Sequence, residues 1–186
     1  MASNKDGEVS AKERLLKAGG QVFRSCGFGG AGIDGLARAA GLTSGAFYSS
    51  FDSKAEAFEQ VVEAGFIPLL SAIRACQAEH GRRWLDRFVD SYLVERGSVD
   101  VCDACVLPTL SIDVARMKDS TRDAYQAQLS EVLDALSAGF RGERHKERAL
   151  ALISILVGAA LMTRALPEGE LRRALLEAAR SAAKQV

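Results

Sequence analysis

Residues 43–54 concentrate side chains that form hydrogen bonds with phosphate oxygens and base edges. The segment reads TSGAFYSSFDSK, so hydroxyl groups dominate it and a single lysine, Lys54, closes it. Gly45 and Ala46 keep its leading end slim. A helix that enters a DNA major groove needs a slim start and neutral hydrogen-bonding groups, while a phenol such as Tyr48 and a lysine ammonium suit phosphates. The chemistry indicated is non-covalent recognition of nucleic acid.

The elements that must hold these groups form a helix-turn-helix pattern. A first helix is predicted by apolar residues at three-and-four spacing, namely Ile33, Leu36, Ala37 and Ala40. Gly41 stands where a helix ends in a left-handed residue, and Thr43 can cap the next helix. That second helix is predicted from about Ser44 to Phe51, with Phe47 and Phe51 turned inward. An ordinary helical hairpin whose serines face water would show the same generic pattern.

The run GLARAAGLTSGAFYSSFDSKAEAF resembles the N-terminal DNA-binding signature of TetR-family transcriptional repressors. The resemblance covers residues 10 to 60 at the level of motifs and is only architectural beyond them. It implies that Tyr48 and Lys54 bind phosphate and that Phe51 is a buried aromatic. It also implies contacts to bases or phosphates from Thr43, Ser44, Gly45, Ala46, Ser49 and Ser50.

Three positions depart from the family pattern. Gly32 occupies the slot that opens the first motif helix, where relatives usually carry a phosphate-binding Thr or Ser. Ala46 lacks a hydroxyl that many relatives have, and the position of Ser50 is often His. These departures leave open an alternative, a helical ligand- or protein-binding module that retains the repressor scaffold without specific DNA binding.

Composition and punctuation predict an all-α protein with three segments. The 48% of apolar residues suffice for a core, and three prolines without alternating apolar runs give no indication of strands. We expect a mobile arm over 1–8, a three-helix DNA-binding domain over 9–54, and a helical ligand-binding and dimerisation bundle over 55–186. Capping pairs are predicted at Ser10 with Glu13 and at Ser53 with Glu56. Gly27 and Gly29 should end the first helix, Pro68 should break or kink a later one, and Pro108 should interrupt a short buried helix.

Formal net charge is zero, which is unlike a protein that coats nucleic acid by charge alone. Residues 1–54 carry seven Lys and Arg against five Asp and Glu, a mild local excess of positive charge. Specific contacts from two copies of the chain fit this balance better, so homodimerisation becomes part of the expected mechanism. A two-fold dimer predicts a near-palindromic operator as the DNA partner.

The stretch Ala149 to Thr163 is apolar on all sides and too short to span a bilayer. With the last helix, about 171–183, it is predicted to form a four-helix dimer interface, the role that the last two helices have in TetR-like proteins. The residues assigned to this interface are Ile153, Val157, Ala160, Leu161, Leu171, Leu175, Ala178 and Ala182. A helix buried within one protomer is the alternative. No signal peptide is recognised, so a cytoplasmic protein without membrane contact is expected.

The resemblance also implies a small-molecule effector held between the middle helices. Aromatic and sulfur-containing side chains there could line a mostly apolar cavity, and they are Phe66, Trp84, Phe88, Tyr92, Cys105, Tyr125 and Met162. Plain core packing explains such residues equally well. The effector would act by favouring one distance between the two DNA-binding domains of the dimer. This is a shift in the populations of two conformations.

Two further chemistries, metal or thiol sensing and catalysis, compete with this interpretation. Cys76 with His80 and Cys102 with Cys105 have spacings that permit a zinc site or a thiol switch, although buried cysteines are usually inert. We therefore expect no metal and no cofactor, with a thiol- or metal-sensing repressor as a minor alternative. Catalytic motifs are lacking, since the two histidines accompany no phosphate-binding loop, nucleophile elbow or zinc motif. The chain is not expected to be an enzyme.

Overall fold

The computed structural model describes residues 9–95 and 99–186, and within them every regular element is helical. The all-α prediction is confirmed for this part of the chain, whereas the predicted arm over 1–8 lies outside the described residues. The α-helices are α1 (Ala11–Gly30), α2 (Ile33–Ala39), α3 (Ser44–Tyr48), α4 (Lys54–His80), α5 (Trp84–Asp90), α6 (Val106–Val114), α7 (Asp119–Gly139), α8 (His145–Arg164) and α9 (Glu170–Lys184). Single turns of 3-10 helix cover Gly81–Arg83 and Val101–Asp103, and a π-helical turn follows α5 over Ser91–Glu95.

Both predicted capping pairs start their helices. The backbone N–H of Glu13 donates to Ser10 Oγ, and the Ser10 N–H donates to Glu13 Oε2 at 2.8 Å. At α4, the Glu56 N–H donates to Ser53 Oγ at 3.1 Å. These bonds satisfy backbone donors that the first turn leaves without helical partners.

The effect of glycine and proline on where helices end differs from the prediction. Gly27 takes a positive φ of 71° but kinks α1, which continues to Gly30, because the Ala31 N–H still bonds the Gly27 carbonyl. Pro68 does not break α4, since buried side chains on both sides of it, including Phe66 and Leu69, hold one continuous helix in the core. Pro108 lies in the first turn of α6, where a missing N–H is tolerated.

α4 connects the N-terminal helices to the rest of the protein. It packs on α1 through Phe58, Val61 and Val62, and it packs along α7 further on. α8 follows α7 and fills the centre of the C-terminal bundle with Leu152 and Leu156, which are fully buried. α9 covers α8 and also contacts α5.

By length and mean hydropathy one helical stretch, Lys54–Leu93, could cross a membrane. This stretch contains α4, whose buried side chains form the core between α1 and α7. An apolar core helix of a folded bundle meets the same criteria.

Candidate DNA interface

The turn between α2 and α3 is closed by two backbone hydrogen bonds. Gly41 has a φ of 67°, its N–H bonds the Arg38 carbonyl at 2.9 Å, and the Leu42 N–H bonds the Ala37 carbonyl at 2.9 Å. This is the Schellman ending that a left-handed glycine permits. Arg14 Nη2 from α1 donates to the Ala40 carbonyl at 2.7 Å and ties the turn to the supporting helix. The angle between α2 and α3 is thereby fixed.

α3 has one aromatic face inside and one outside. Phe47 and Phe51 are buried, with ring centroids 5.4 Å apart, so the predicted inward anchors are confirmed. Tyr48 packs its ring edge-to-face on Phe47 and is 59% exposed. The helix itself ends at Tyr48, three residues before the predicted end, and the chain turns at Ser49 and Ser50. The phenol of Tyr48 is therefore held rigidly at the surface.

The predicted hydroxyl contacts are largely engaged in local hydrogen bonds. Thr43 caps α3 by accepting from the Ala46 N–H at 3.3 Å. Ser49 and Ser50 donate to the carbonyls of Gly45 and Ala46, each at 3.0 Å. A hydroxyl keeps acceptor capacity when it donates, so Ser49 and Ser50 can still accept a hydrogen bond. Thr43 accepts in its capping bond, so its O–H can still donate.

Asp34 is a member of this surface that the sequence did not indicate. Its carboxylate, on the exposed side of α2, accepts a hydrogen bond from Ser44 Oγ at 2.5 Å. The bond joins the two motif helices across ten residues, and no periodicity in the sequence shows it. A carboxylate at the leading end of α3 favours base-edge donors over phosphates as neighbours of Ser44.

Lys54 has a second set of partners besides any phosphate. Its ammonium donates to the carbonyls of Phe28 at 2.9 Å and of Ala31 at 3.0 Å, and it lies 4.2 Å from the centre of the Phe28 ring. Lysine has three N–H donors, so one is left for a phosphate. The side chain therefore fastens the end of α1 to the start of α4 as well as carrying charge.

Gly32, Gly45 and Ala46 have small or absent side chains, which leave open space beside the backbone of α2 and α3. Gly32 is the N-cap residue of α2, with no side-chain capping bond, and a Cβ at this position would meet nothing within 4 Å. A Cβ at Gly45 would approach only Thr43 Oγ1, at 3.7 Å. The backbone of α2 and α3 can thus approach a partner closely here.

Comparison with known proteins identifies this arrangement. Residues 15–61 match the family model described as bacterial regulatory proteins, tetR family. This N-terminal segment is therefore similar in sequence to that family. No curated protein matches the chain. The whole chain is similar to the reduced form of NemR from E. coli, at 22% identity and a TM-score of 0.79, covering 95% of this chain and 96% of that one.

Other solved structures agree on the fold. A TetR-family transcriptional regulator from Cytophaga hutchinsonii has a TM-score of 0.80 at 18% identity, covering 97% of this chain and 98% of that one. A TetR regulator from Legionella pneumophila gives 0.79 at 16%, covering 96% and 98%. The chain has the TetR-type fold, with an N-terminal DNA-binding domain and a helical C-terminal domain. Fold and N-terminal match together support a DNA-binding transcriptional regulator.

The predicted effector-lining residues do not share one cavity in this TetR-type bundle. Trp84 lines a pocket at the C-terminal end of α4, Phe88 and Tyr92 line a second between α4 and α5, and Cys105 lines a third beside α1. Phe66 and Tyr125 pack edge-to-face, and Tyr125 shares a hydrogen bond with Ser111 at 2.7 Å. Met162 is 51% exposed on the outside of α8. Trp84, Phe88 and Tyr92 are neighbours in the core, with successive ring centroids 6.3 and 6.0 Å apart, although they line different pockets.

The residues predicted for the dimer interface divide by location. Ile153 and Ala160 are buried within the protomer's own core. Leu161 and Leu171 are exposed by 55% and 66%, and Val157 and Leu175 are half-buried. Ala178 and Ala182 are exposed on α9. An apolar face thus remains on α8 and α9, to which Leu150 and Met162 also contribute.

The cysteines are four free thiols. Over residues 9–95 and 99–186 no three His, Cys, Asp or Glu side chains are grouped to hold a metal ion. Burial raises the pKa of the Cys76 thiol, which donates to the Trp84 carbonyl at 3.2 Å. The carboxylates of Asp100 and Asp103, with some desolvation, raise the pKa of Cys102 to about 11. Both thiols are disfavoured as thiolates, the reactive form.

Proposed function

We propose that this chain is a homodimeric transcriptional repressor that binds a near-palindromic operator and is released from it by a small molecule. One observation carries the proposal: the turn at Gly41 and buried Phe47 hold α3 so that Tyr48 stands out at its end, and Lys54 begins the next helix. Such a surface suits a major groove flanked by phosphates.

Base recognition in this proposal falls to a small set of atoms. Ser44 and Asp34 form one polar unit at the start of α3, while Gly45 and Ala46 admit the backbone to the groove. Ser49 and Ser50 can accept from base-edge donors, Thr43 can donate to a phosphate or a base, and all three stabilise α3. Gly32 contributes its exposed N–H at the start of α2.

The apolar face on α8 and α9 supports the dimer. Exposed Leu161 and Leu171, with Ala178 and Ala182, would be covered by the same face of a second copy. Two copies would place two α3 helices in successive major grooves. Leu161→Glu should shift sedimentation toward the monomer and weaken operator binding, whereas Ser130→Glu, at an exposed position on α7, should do neither.

The decisive experiment is a titration of fluorescent duplex DNA from the region flanking the chain's own gene, against scrambled duplex, at several salt concentrations. Wild type should discriminate between the duplexes, and Tyr48→Ala should weaken binding to the specific duplex. Ser130→Ala is the matched control, because that hydroxyl bonds only within α7. Equal binding to both duplexes that disappears at high salt would contradict the proposal. It would favour the alternative, a module that binds ligands or proteins and has no specific DNA recognition.

The proposed domain boundary lies at Lys54, with residues 9–54 reading DNA and 55–186 binding effector and partner. Cytoplasmic localisation belongs to the same proposal, as does the absence of catalysis. Effector release would appear as a loss of operator affinity on adding the ligand, through a change in the populations of two conformations that differ in the distance between the DNA-binding domains.

A further inference from the structure

A surface-open pocket of about 610 Å³ lies at the end of α4 opposite Lys54. Trp84, Leu85 and Phe140 form an apolar wall, and Arg82, Arg141 and Arg148 contribute three guanidinium groups. The volume is within the range of small-molecule sites. The pocket therefore combines an aromatic surface with concentrated positive charge.

The positive charge in this pocket is not neutralised by the residues that line it. No carboxylate is among the lining side chains, and in the described part of the chain neither Arg82 nor Arg141 forms an ion pair. In the first turn of α8, Glu147 pairs with Arg144, the N-cap residue of that helix. Arg82 and Arg141 are exposed, so water and salt screen their attraction for an anion, and contact with the apolar wall must add to it.

Arg148 is positioned by main-chain oxygens and an aromatic ring. Its Nη1 donates to the Arg141 carbonyl at 3.1 Å and its Nη2 donates to the Val186 backbone oxygen at 2.9 Å. Its guanidinium lies 4.2 Å from the centre of the Phe140 ring. These contacts order the cation while it keeps its charge, which lowers the entropic cost of binding an anion.

The aromatic wall is fixed in the same way. Trp84 Nε1 donates to the Gly139 carbonyl at 2.9 Å, and its ring packs edge-to-face on Phe140 with centroids 5.2 Å apart. Gln77 Nε2 donates to the Ala135 carbonyl at 2.8 Å. A Cβ at Gly139 would lie 2.6 Å from the Trp84 ring, so this glycine permits the close approach. With the indole N–H already bonded, polar recognition falls to the arginines.

We propose that this pocket binds an organic anion with an aromatic or apolar body. The acid group would pair with Arg82 and Arg141, and the body would lie against Trp84 and Phe140. Assigning this anion as the effector rests on the proposed regulatory function, whereas binding itself does not. The anion and the DNA are recognised at opposite ends of α4.

The probe is 2-naphthoate, with neutral 2-naphthamide as its isostere. Trp84 is the chain's single tryptophan, so one indole N–H cross-peak in a ¹⁵N–¹H spectrum reports on the pocket, and calorimetry supplies the affinity. We expect one site per chain, movement of the indole peak, and binding of the amide at least tenfold weaker. An unmoved indole peak, undetectable binding, or equal affinity for the amide would overturn the proposal.

Substitutions can test separately the positive charge of the pocket and its open volume. Arg82→Gln with Arg141→Gln should weaken naphthoate binding at least tenfold, while Arg83→Gln, an exposed neighbour outside the lining, should bind as wild type. Ala138→Phe, which fills the pocket and keeps its charge, should also block binding. Naphthoate affinity unchanged in the double glutamine variant would refute the assignment.

Operator titration without ligand distinguishes the two proposals. The double glutamine variant should bind DNA as wild type does, since its substitutions lie far from α3. A protein that binds naphthoate but no operator retains this site and loses the proposed function. One that binds operator but not naphthoate loses only the site.

Discussion

The carboxylate of Asp113 in α6 accepts a 3.2 Å hydrogen bond from the backbone N–H of Phe28, at the kink of α1. A Cβ on the preceding Gly27 would lie 3.3 Å from the same carboxylate. The Phe28 carbonyl in turn accepts from Lys54. Phe28 in α1 is therefore bonded through its N–H to α6 and through its carbonyl to the start of α4.

Asp113→Ala should lower the free energy of unfolding by about 1–2 kcal/mol, because it leaves the part-buried Phe28 N–H without its acceptor. Urea denaturation of the purified protein measures this. Ser130→Ala, which removes a bond inside one helix, should change the free energy by less than about 0.5 kcal/mol. Equal midpoints for wild type and Asp113→Ala would show that the contact contributes nothing.

Gly32→Thr should tighten operator binding roughly 3- to 10-fold, the effect of one added hydrogen bond to phosphate. The position has β-region dihedrals, φ −89° and ψ 150°, and open space around a new Cβ, so threonine fits without strain. The measurement is operator titration at fixed salt. Gly35→Ala is the control, since it strengthens α2 without adding a hydroxyl at the N-cap. A gain shared by both variants would assign the effect to helix stability.

Lys54→Met should have two separable effects. Loss of two charge-assisted bonds to the Phe28 and Ala31 carbonyls should cost about 1–3 kcal/mol in thermal or urea unfolding. Loss of a phosphate contact should reduce the slope of log affinity against log salt by about 1. A variant that melts earlier but keeps the wild-type salt slope would restrict Lys54 to its structural role.

Asp90→Asn should make the stability of the fold depend less steeply on pH in the acidic range. A hydrogen bond from Arg180, with Lys184 2.8 Å away, lowers the pKa of Asp90 in the folded protein. A depressed carboxyl pKa stabilises the fold above the unfolded-state pKa of about 3.9, and this contribution is lost as pH falls through the folded value. Because the pair is partly exposed, the difference at neutral pH should be under about 1 kcal/mol. Melting temperatures from pH 2 to 7 test this, and parallel curves would contradict it.

Local rules sufficed where the physics is local. Ser10 with Glu13, Ser53 with Glu56, and Gly41 all cap helices as predicted, because each bond spans only a few residues. The same holds for the inward side of α3, where a four-residue spacing placed Phe47 and Phe51.

Long-range packing explains what the sequence did not show. Pro68 was expected to break or kink α4, and it does not break the helix, because the core on both sides outweighs one lost hydrogen bond. The Ser44–Asp34 and Phe28–Asp113 bonds join helices whose mutual angle no periodicity reports. Composition suggested one aromatic cavity, whereas packing distributed Trp84, Phe88 and Cys105 among three pockets, and the arginines around Trp84 come from separate helix ends.

Because α4 continues through Pro68 without a break, a tilt of the helix at one end would move its other end. Its 27 residues span about 40 Å, with Lys54 at one end and Gln77 near the other. A rigid rod of that length tilted by about 5° displaces its far end by roughly 3.5 Å, close to the rise of one base pair along DNA. In the proposed repressor, a helix broken at Pro68 would absorb such a tilt, whereas a continuous one would transmit it to the DNA-binding domain as a displacement along the DNA.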